Sequence, residues 1–330
     1  MRILVTGAAG MIGRKLVKRL AKDGRVSGRE ITALALTDIV EPAPPAGFGR
    51  EIRIAASDIA ASGEAERLIA ERPDLVFHTA GIVSGEAESD LEKGYRVNLD
   101  GSRLLFDAIR RESERAPYKP KVVFTSSIAV FGAPFPEKID DDYHLTPLTS
   151  YGTQKAMVEL MLADYTRRGF MDGIGIRLPT ICIRPGKPNK AASGFFSNIL
   201  REPLSAQEAV LPVSEDARAW HASPRAAIGF LLHAAALPPG ALGARPNLTM
   251  PGLSATVGEQ LAALERISPA AMRYIRRVPD RVIQRIVDGW PQSFDPARAL
   301  SLGFRADSSF DEIIRYHIED ELGGSLPDRP

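Results

Sequence analysis

Cysteine occurs once in this chain, as Cys182, and that scarcity excludes an internal disulfide framework and any Cys cluster for zinc or an iron–sulfur centre. The residue lies in the apolar run Ile181-Cys182-Ile183, which points to a buried structural thiol and not to a nucleophile. Histidine is almost as sparse. The five residues, at 78, 144, 221, 233 and 317, form no H-x-x-x-H pair, so no metal site is expected. An excess of either charge is lacking too: 42 basic residues stand against 41 acidic ones, net charge +1, and no global field favours nucleic acid or an anionic membrane surface. The opening Met1-Arg2-Ile3-Leu4-Val5-Thr6-Gly7 is too short an apolar run for a signal peptide or a spanning helix. The expectation is a cytoplasmic protein that binds a small molecule, not nucleic acid or a membrane.

What is present is ordinary globular material, 330 residues with 44% hydrophobic and 25% charged, enough for one large domain or two closely joined ones. Short apolar, β-branched runs alternate with longer stretches of helical period through the first half. This pattern predicts βαβ units on a doubly wound parallel sheet, an α/β Rossmann fold. The predicted strands are Ile3–Thr6, Ile31–Thr37, Ile52–Ala55, Leu75–His78, Val122–Thr125 and Ile174–Ile183. Helices are predicted over Met11–Lys22, Glu64–Glu71, Leu91–Arg115 and Ser150–Arg168. After Ile183 the pattern gives way to Pro- and Gly-rich loops and shorter mixed elements, a smaller and mainly helical substrate lobe. A helix over Ser223–Leu237 and a short strand over Asn247–Met250 return to the main sheet. The expected division is therefore a cofactor domain of residues 1–183, with 217–252 returning to it, and a substrate lobe of 184–216 and 253–330.

The segment Thr6-Gly7-Ala8-Ala9-Gly10-Met11-Ile12-Gly13 joins the first strand to the first helix, where helix amides and the helix dipole can receive a pyrophosphate. Gly7 permits the tight turn, Gly10 close approach of backbone to phosphate, and Gly13 contact of helix with strand; Met11 and Ile12 supply the first helical amides. A turn built only for packing would share the glycines, but the strand before and the amphipathic helix after give the phosphate-binding context. Asp38 ends the second strand, where a carboxylate accepts hydrogen bonds from the adenosine ribose and repels a 2′-phosphate; Ile39 and Val40 offer no compensating cation, so NAD is favoured over NADP. A strand-terminal Asp can also serve only as a turn residue. Asp58, in Ser57-Asp58-Ile59 after the third strand, is assigned to the adenine side.

Tyr151-Gly152-Thr153-Gln154-Lys155 places a phenol and an ammonium four residues apart on one helix face. Removing a proton from an alcohol as hydride leaves its carbon needs a base with a pKa near the working pH, and free tyrosine at about 10 is too high. A nearby cation lowers such a pKa by about 1–3 units. Y-x-x-x-K alone also arises as a surface pair. Here it opens the helix after the fifth strand, which ends in Phe124-Thr125-Ser126-Ser127. Either Ser126 or Ser127 could hold the substrate oxygen.

These residues resemble the extended short-chain dehydrogenase/reductases, which include nucleotide-sugar epimerases. The resemblance runs through TGAAGMIG, Asp38, Asp58-Ile59, His78-Thr79-Ala80-Gly81, Asn98, Thr125 to Gly132 and the Tyr151/Lys155 pair. It implies Ser127 as the catalytic hydroxyl, Lys155 also on the nicotinamide ribose, and Ile59, Ala80 and Gly81 along the cofactor. It implies further that Asn98 braces the active-site helix, that Pro179 and Ile181 flank the nicotinamide with Thr180 towards substrate, and that two helices pair in a homodimer. The segments Arg177 to Asn189, Arg201 to Leu204, Ala222 to Arg225 and Met250 to Leu253 are similar to the D-erythronate dehydrogenases of that family, which oxidise the 2-hydroxyl of a four-carbon sugar acid.

An acid substrate would be met by cations among Arg184, Lys187, Lys190, Arg218 and Arg225, with Ser84 adding a hydroxyl. Each is equally readable as a solvated charge, and a nucleotide sugar would use cations here as well. Sugar dehydratases of the family carry Asp-Glu after the catalytic hydroxyl, where this chain has Ile128 and Ala129. Epimerases typically carry R-D-[YF]-[IV]-H, where this chain has Arg218-Ala219-Trp220-His221. The leading expectation is oxidation of D-erythronate or a close sugar acid by NAD. A nucleotide-sugar 4-epimerase with tightly bound NAD and a non-catalytic NAD-binding scaffold are the alternatives.

Overall fold

The computed structural model describes residues 1–186 and 193–326. By its internal contacts the chain forms two compact units: Met1–Val130, Thr149–Arg177 and Ile228–Thr249 in the first, Phe131–Leu148, Leu178–Ala227 and Met250–Pro330 in the second.

The first unit is built on β1 (Arg2–Thr6), β2 (Ala33–Asp38), β3 (Glu51–Ala56), β4 (Leu75–His78), β5 (Lys121–Ser127) and β6 (Asp172–Leu178), joined by a late strand, Asn247–Thr249. They form a seven-stranded parallel sheet in the order Asn247–Thr249, β6, β5, β4, β1, β2, β3. Strand order reverses between β1 and β4, which makes the crevice beyond their carboxyl ends the place for a ligand. Ile3, Leu4 and Val5 are all buried, as a strand covered on both faces requires. In register, Val5 lies between Leu36 and Phe77.

The helices that matter for the site are α1 (Met11–Asp23), α2 (Glu64–Ile69), α3 (Ser84–Ser89), α4 (Gly101–Arg115) and α5 (Ser150–Arg167). Helix α1 buries Leu16, Val17 and Leu20 and stops at Gly24, whose φ of +63° suits glycine and whose N–H closes on the Leu20 carbonyl. Leu105, Phe106 and Ile109 of α4 and Val158 and Leu162 of α5 pack with Val122 and Phe124 of β5 in one buried cluster. Two predicted elements differ. The helix expected over Leu91–Arg115 is helical throughout but wound unevenly: an α turn at Leu91–Gly94, a π turn at Tyr95–Asp100, then α4. The strand expected over Ile174–Ile183 is two strands. Pro179 has no N–H to continue the ladder, so β6 ends at Leu178 and Thr180–Ile181 pairs with His221–Ala222 in another sheet.

That sheet belongs to the second unit and has Arg218–Ala222 at its centre, flanked by Thr180–Ile181 and Leu253–Thr256. Its core gathers Phe196 and Leu200 from helix Gly194–Leu204, Leu261 and Leu264 from Val257–Ile267, and Ile313 and Ile314 from Phe310–Glu321. Thr256 and Glu259 form a reciprocal capping box on Val257–Ile267.

Candidate active site

The turn after β1 is shaped by steric necessity at two of its three glycines. Gly7 sits at φ +73°, and a Cβ there would lie 2.6 Å from the Ala80 amide nitrogen; at Gly13 a Cβ would lie 2.0 Å from the Gly7 carbonyl oxygen. Gly10 differs. Its φ is −68°, which any residue adopts, and a Cβ would meet only the Gly7 oxygen, at 3.3 Å, a close contact that a small shift relieves. Helix α1 starts at this residue with Met11 and Ile12, carries no side-chain cap and has no acidic residue in its first turn. Its leading N–H groups and positive dipole end are therefore set for an anion. The bare position at Gly10 and the uncapped helix end both fit the pyrophosphate of a dinucleotide.

Asp38 ends β2, where its Oδ2 accepts the Ala9 N–H at 2.9 Å and its Oδ1 accepts the Ile39 N–H at 2.7 Å. One carboxylate thus braces the glycine turn, and each oxygen keeps a further lone pair for a ribose hydroxyl. Asp58 Oδ1 accepts from the Ala60 amide at 3.0 Å and its Oδ2 from Arg96 Nη1 at 2.5 Å. Burial works against the charged form, but the bonds from Arg96 and Ala60 prevail and hold this carboxyl below its ordinary range. Ile59 is buried in the core beside Gly101, so its side chain is structural.

Ser127, Tyr151 and Lys155 all belong to the first unit. Thr149 caps α5 by accepting the Gly152 N–H on its hydroxyl at 3.0 Å, which fixes the turn that carries Tyr151. Glu88 of α3 accepts the Ser150 N–H at 2.9 Å and tethers the same end. One turn on, Lys155 is only 4% exposed; its Nζ donates to the Thr125 carbonyl at 2.9 Å and stands 5.7 Å from the Tyr151 ring centroid. Burial pulls the ammonium down to about 8, with Glu159 opposing. At the end of β5, Ser127 Oγ accepts the Ala129 N–H at 3.1 Å, which leaves its own proton to donate outward. Ser126 turns the other way and donates to the buried carboxylate of Glu159 at 2.5 Å. The two neighbouring hydroxyls thus have different partners, Ser126 a buried carboxylate and Ser127 a backbone amide.

Three buried polar groups hold this arrangement. Asn98, on the π turn, accepts the Ile82 N–H at 2.9 Å and donates to Gln154 Oε1 at 2.8 Å, linking the loop after β4 to α5. A Cβ at Gly81 would lie 2.9 Å from Asn98 Oδ1 and 3.5 Å from Lys155 Nζ, which places Gly81 against that pair, while Ala80 abuts the glycine turn at Gly7. His78 bridges the Thr6 and Ser102 hydroxyls at 2.8 and 2.9 Å; burial first, and Lys155 second, push it down to about 3, so it stays neutral. The missed residues are Gln154, Glu159 and Arg177. The repeat Tyr151, Lys155, Glu159 at steps of four carried a signal for Glu159; no spacing in the sequence pointed to Arg177 as its partner.

The remaining expected residues that the structure describes lie in the second unit, apart from Ser84, which opens α3. Pro179 precedes the short strand Thr180–Ile181. Arg184 donates from Nε to the Ile181 carbonyl and from Nη2 to Ser193, both at 3.0 Å. Arg218 donates to the Ser254 carbonyl at 3.1 Å and lies 3.5 Å from Glu259, while Arg225 is paired with Asp320 and Glu319. Lys187 and Lys190 lie outside the described residues. Cys182 is fully buried, and burial raises its thiol to about 12. Among the described residues no cluster of His, Cys, Asp or Glu is placed to hold a metal ion, and no helix is long and apolar enough to cross a membrane.

Residues 3–222 match the model of the NAD dependent epimerase/dehydratase family. The chain is 41% identical to a D-erythronate dehydrogenase of Haemophilus influenzae, over 98% of this chain and all of that one. It is 42% identical to a D-erythronate dehydrogenase of Cupriavidus necator, over 97% and 98% of the two chains. Among solved structures, one described as a nucleoside-diphosphate-sugar epimerase from Agrobacterium tumefaciens superposes with a TM-score of 0.97 at 62% identity, covering 99% of this chain and 96% of that one. With a glycine turn fitted to a dinucleotide and a sheet of this order, the chain belongs to the NAD dependent epimerase/dehydratase family, and its cofactor is NAD.

Proposed function

We propose that the protein is an NAD-dependent dehydrogenase that oxidises the 2-hydroxyl of a small sugar acid, D-erythronate to 2-keto-D-erythronate. The observation that carries this reading is identity above 40% to two D-erythronate dehydrogenases along the whole chain, second unit included. NAD, when bound, accepts the hydride. Tyr151 takes the hydroxyl proton, with the Lys155 ammonium one turn away to stabilise the phenolate. Ser127, its oxygen already accepting from Ala129, donates to the substrate oxygen and holds it against Tyr151. Ile128 and Ala129 offer no carboxylate for eliminating water, which supports simple hydride transfer.

The test is NADH formation by purified protein with a panel of four- to six-carbon aldonates, D-erythronate giving the highest kcat/KM. Tyr151→Phe should lower kcat by about 10²–10⁴. No NADH with any aldonate refutes the acid substrate. A second reading, nucleotide-sugar 4-epimerisation, is favoured by the description of the Agrobacterium structure; it requires NAD that co-purifies and no net NADH. A non-catalytic scaffold would be indifferent to Tyr151→Phe. The reading includes a cytoplasmic homodimer, for which solution mass and cell fractionation are the checks.

A further inference from the structure

Directly behind Lys155 the first unit buries an ion pair that the proposed proton transfer does not use. Glu159, 1% exposed, sits one turn beyond Lys155 on α5, and Arg177 of β6, 8% exposed, donates to it from Nε at 3.0 and 3.1 Å and from Nη2 at 2.7 Å. Ser126 adds the 2.5 Å bond to Oε1, and Arg177 Nη1 reaches Thr249 Oγ1 at 3.4 Å. The cluster therefore joins β5, β6, the strand Asn247–Thr249 and α5 at the level of the proton-transfer groups. A buried pair of this kind is seldom more stabilising than apolar residues of the same shape, so its placement asks for another reason.

We propose that Glu159, locked in place by Arg177, is a positioning residue whose carboxylate keeps the Lys155 ammonium charged beside Tyr151. The inference rests on the reading of Tyr151 and Lys155 as the proton-transfer pair. Tyr151, Lys155 and Glu159 occupy successive turns of one helix face, so the carboxylate and the phenol lie on opposite sides of the ammonium along the helix. The titratable and charged groups that meet these turns from neighbouring elements are His78 on β4, held neutral by burial, Arg177 on β6, and Glu88 on α3, bonded to the Ser150 amide. Of these charges Glu159 is the one that opposes the loss of the Lys155 proton on burial. Deprotonation of Lys155 would leave Tyr151 without its cation, and the phenolate would form only at higher pH.

The experiment compares Glu159→Gln/Arg177→Met, which removes both charges and so avoids a stranded buried cation, with Ser126→Ala, which keeps them. In the apo proteins the Lys155 side chain is titrated by NMR of 13Cε-labelled lysine; in the holoenzymes the kcat/KM profile for D-erythronate and NAD is recorded against pH. The double variant should titrate Lys155 about half a unit lower than wild type, because loss of the nearer carboxylate outweighs loss of its guanidinium partner, and move the acid limb of the profile up by a similar amount, so that kcat/KM at pH 7 falls about threefold and recovers at high pH. Ser126→Ala should leave the limb where it is. An unmoved Lys155 titration, a loss of rate equal at every pH, or a limb shifted as far by Ser126→Ala would each overturn the inference. Tyr151→Phe separates the two readings. If it stays active, the assignment of the base has failed; if it is inactive while the double variant keeps the wild-type limb, only the role of Glu159 has.

Discussion

Replacing Lys155 by Met should change stability in a direction that depends on pH. The ammonium is buried, and burial depresses it from 10.5 to about 8. A lysine depressed on folding opposes folding below its folded pKa, and the penalty is relieved as pH rises from about 8 to 10.5, because over that window the unfolded chain holds the proton more firmly than the native one. The depression corresponds to about 3 kcal/mol at pH 7, as an upper figure for a fully buried group. Methionine fills the same channel without charge, but it leaves the Thr125 carbonyl without its 2.9 Å donor, a loss of about 1–2 kcal/mol. The net expectation is that Lys155→Met is more stable than wild type by about 1–2 kcal/mol at pH 7 and less stable by about as much above pH 10. Urea denaturation of both apo proteins at pH 7, 8.5 and 10 measures this difference, in which groups common to both proteins cancel. A difference that is constant across pH would refute the reasoning, since it would mean that Lys155 titrates alike folded and unfolded.

The glycine turn gives a paired test. Gly13→Ala puts a Cβ 2.0 Å from backbone oxygen and should destabilise the apo protein by about 3 kcal/mol, whereas Gly10→Ala, whose Cβ meets backbone oxygen at 3.3 Å, should change stability by no more than about 1 kcal/mol yet weaken NAD binding about tenfold or more in calorimetry. Asp38→Asn keeps an acceptor for the Ala9 amide but removes a negative charge from the position expected to meet the adenosine ribose, so the NADP to NAD ratio of kcat/KM should rise at least about tenfold. Cys182, buried with its thiol raised to about 12, should resist iodoacetamide at pH 8 in the native protein and react once it is unfolded in urea. Labelling of the native protein at the rate of a free thiol would contradict that burial.

What the sequence disclosed was whatever is encoded within a few residues. The strand, turn and helix at Thr6 to Gly13 and the four-residue spacing of Tyr151 and Lys155 were readable because their geometry is local. The break at Pro179 was also local and was overlooked, because the apolar run continues through it and only the missing N–H separates the two strands. Other features depend on groups distant in the chain. Asn98 is braced by Ile82 and Gln154, Glu159 by Ser126 and Arg177, and Arg225 by Asp320. No window of periodicity contains both partners of such a bond. Arg218 and Arg225, two of the cations expected to meet an acid substrate, each have a carboxylate beside them in the fold that lies far off in the sequence.

Ser127, Tyr151, Lys155 and the buried pair behind them all lie in the first unit. Under the proposed function, substitutions in the second unit leave every residue assigned to the proton transfer in place. Selection can then vary that unit without rebuilding the reaction, which makes it the unit to vary when a new alcohol is sought.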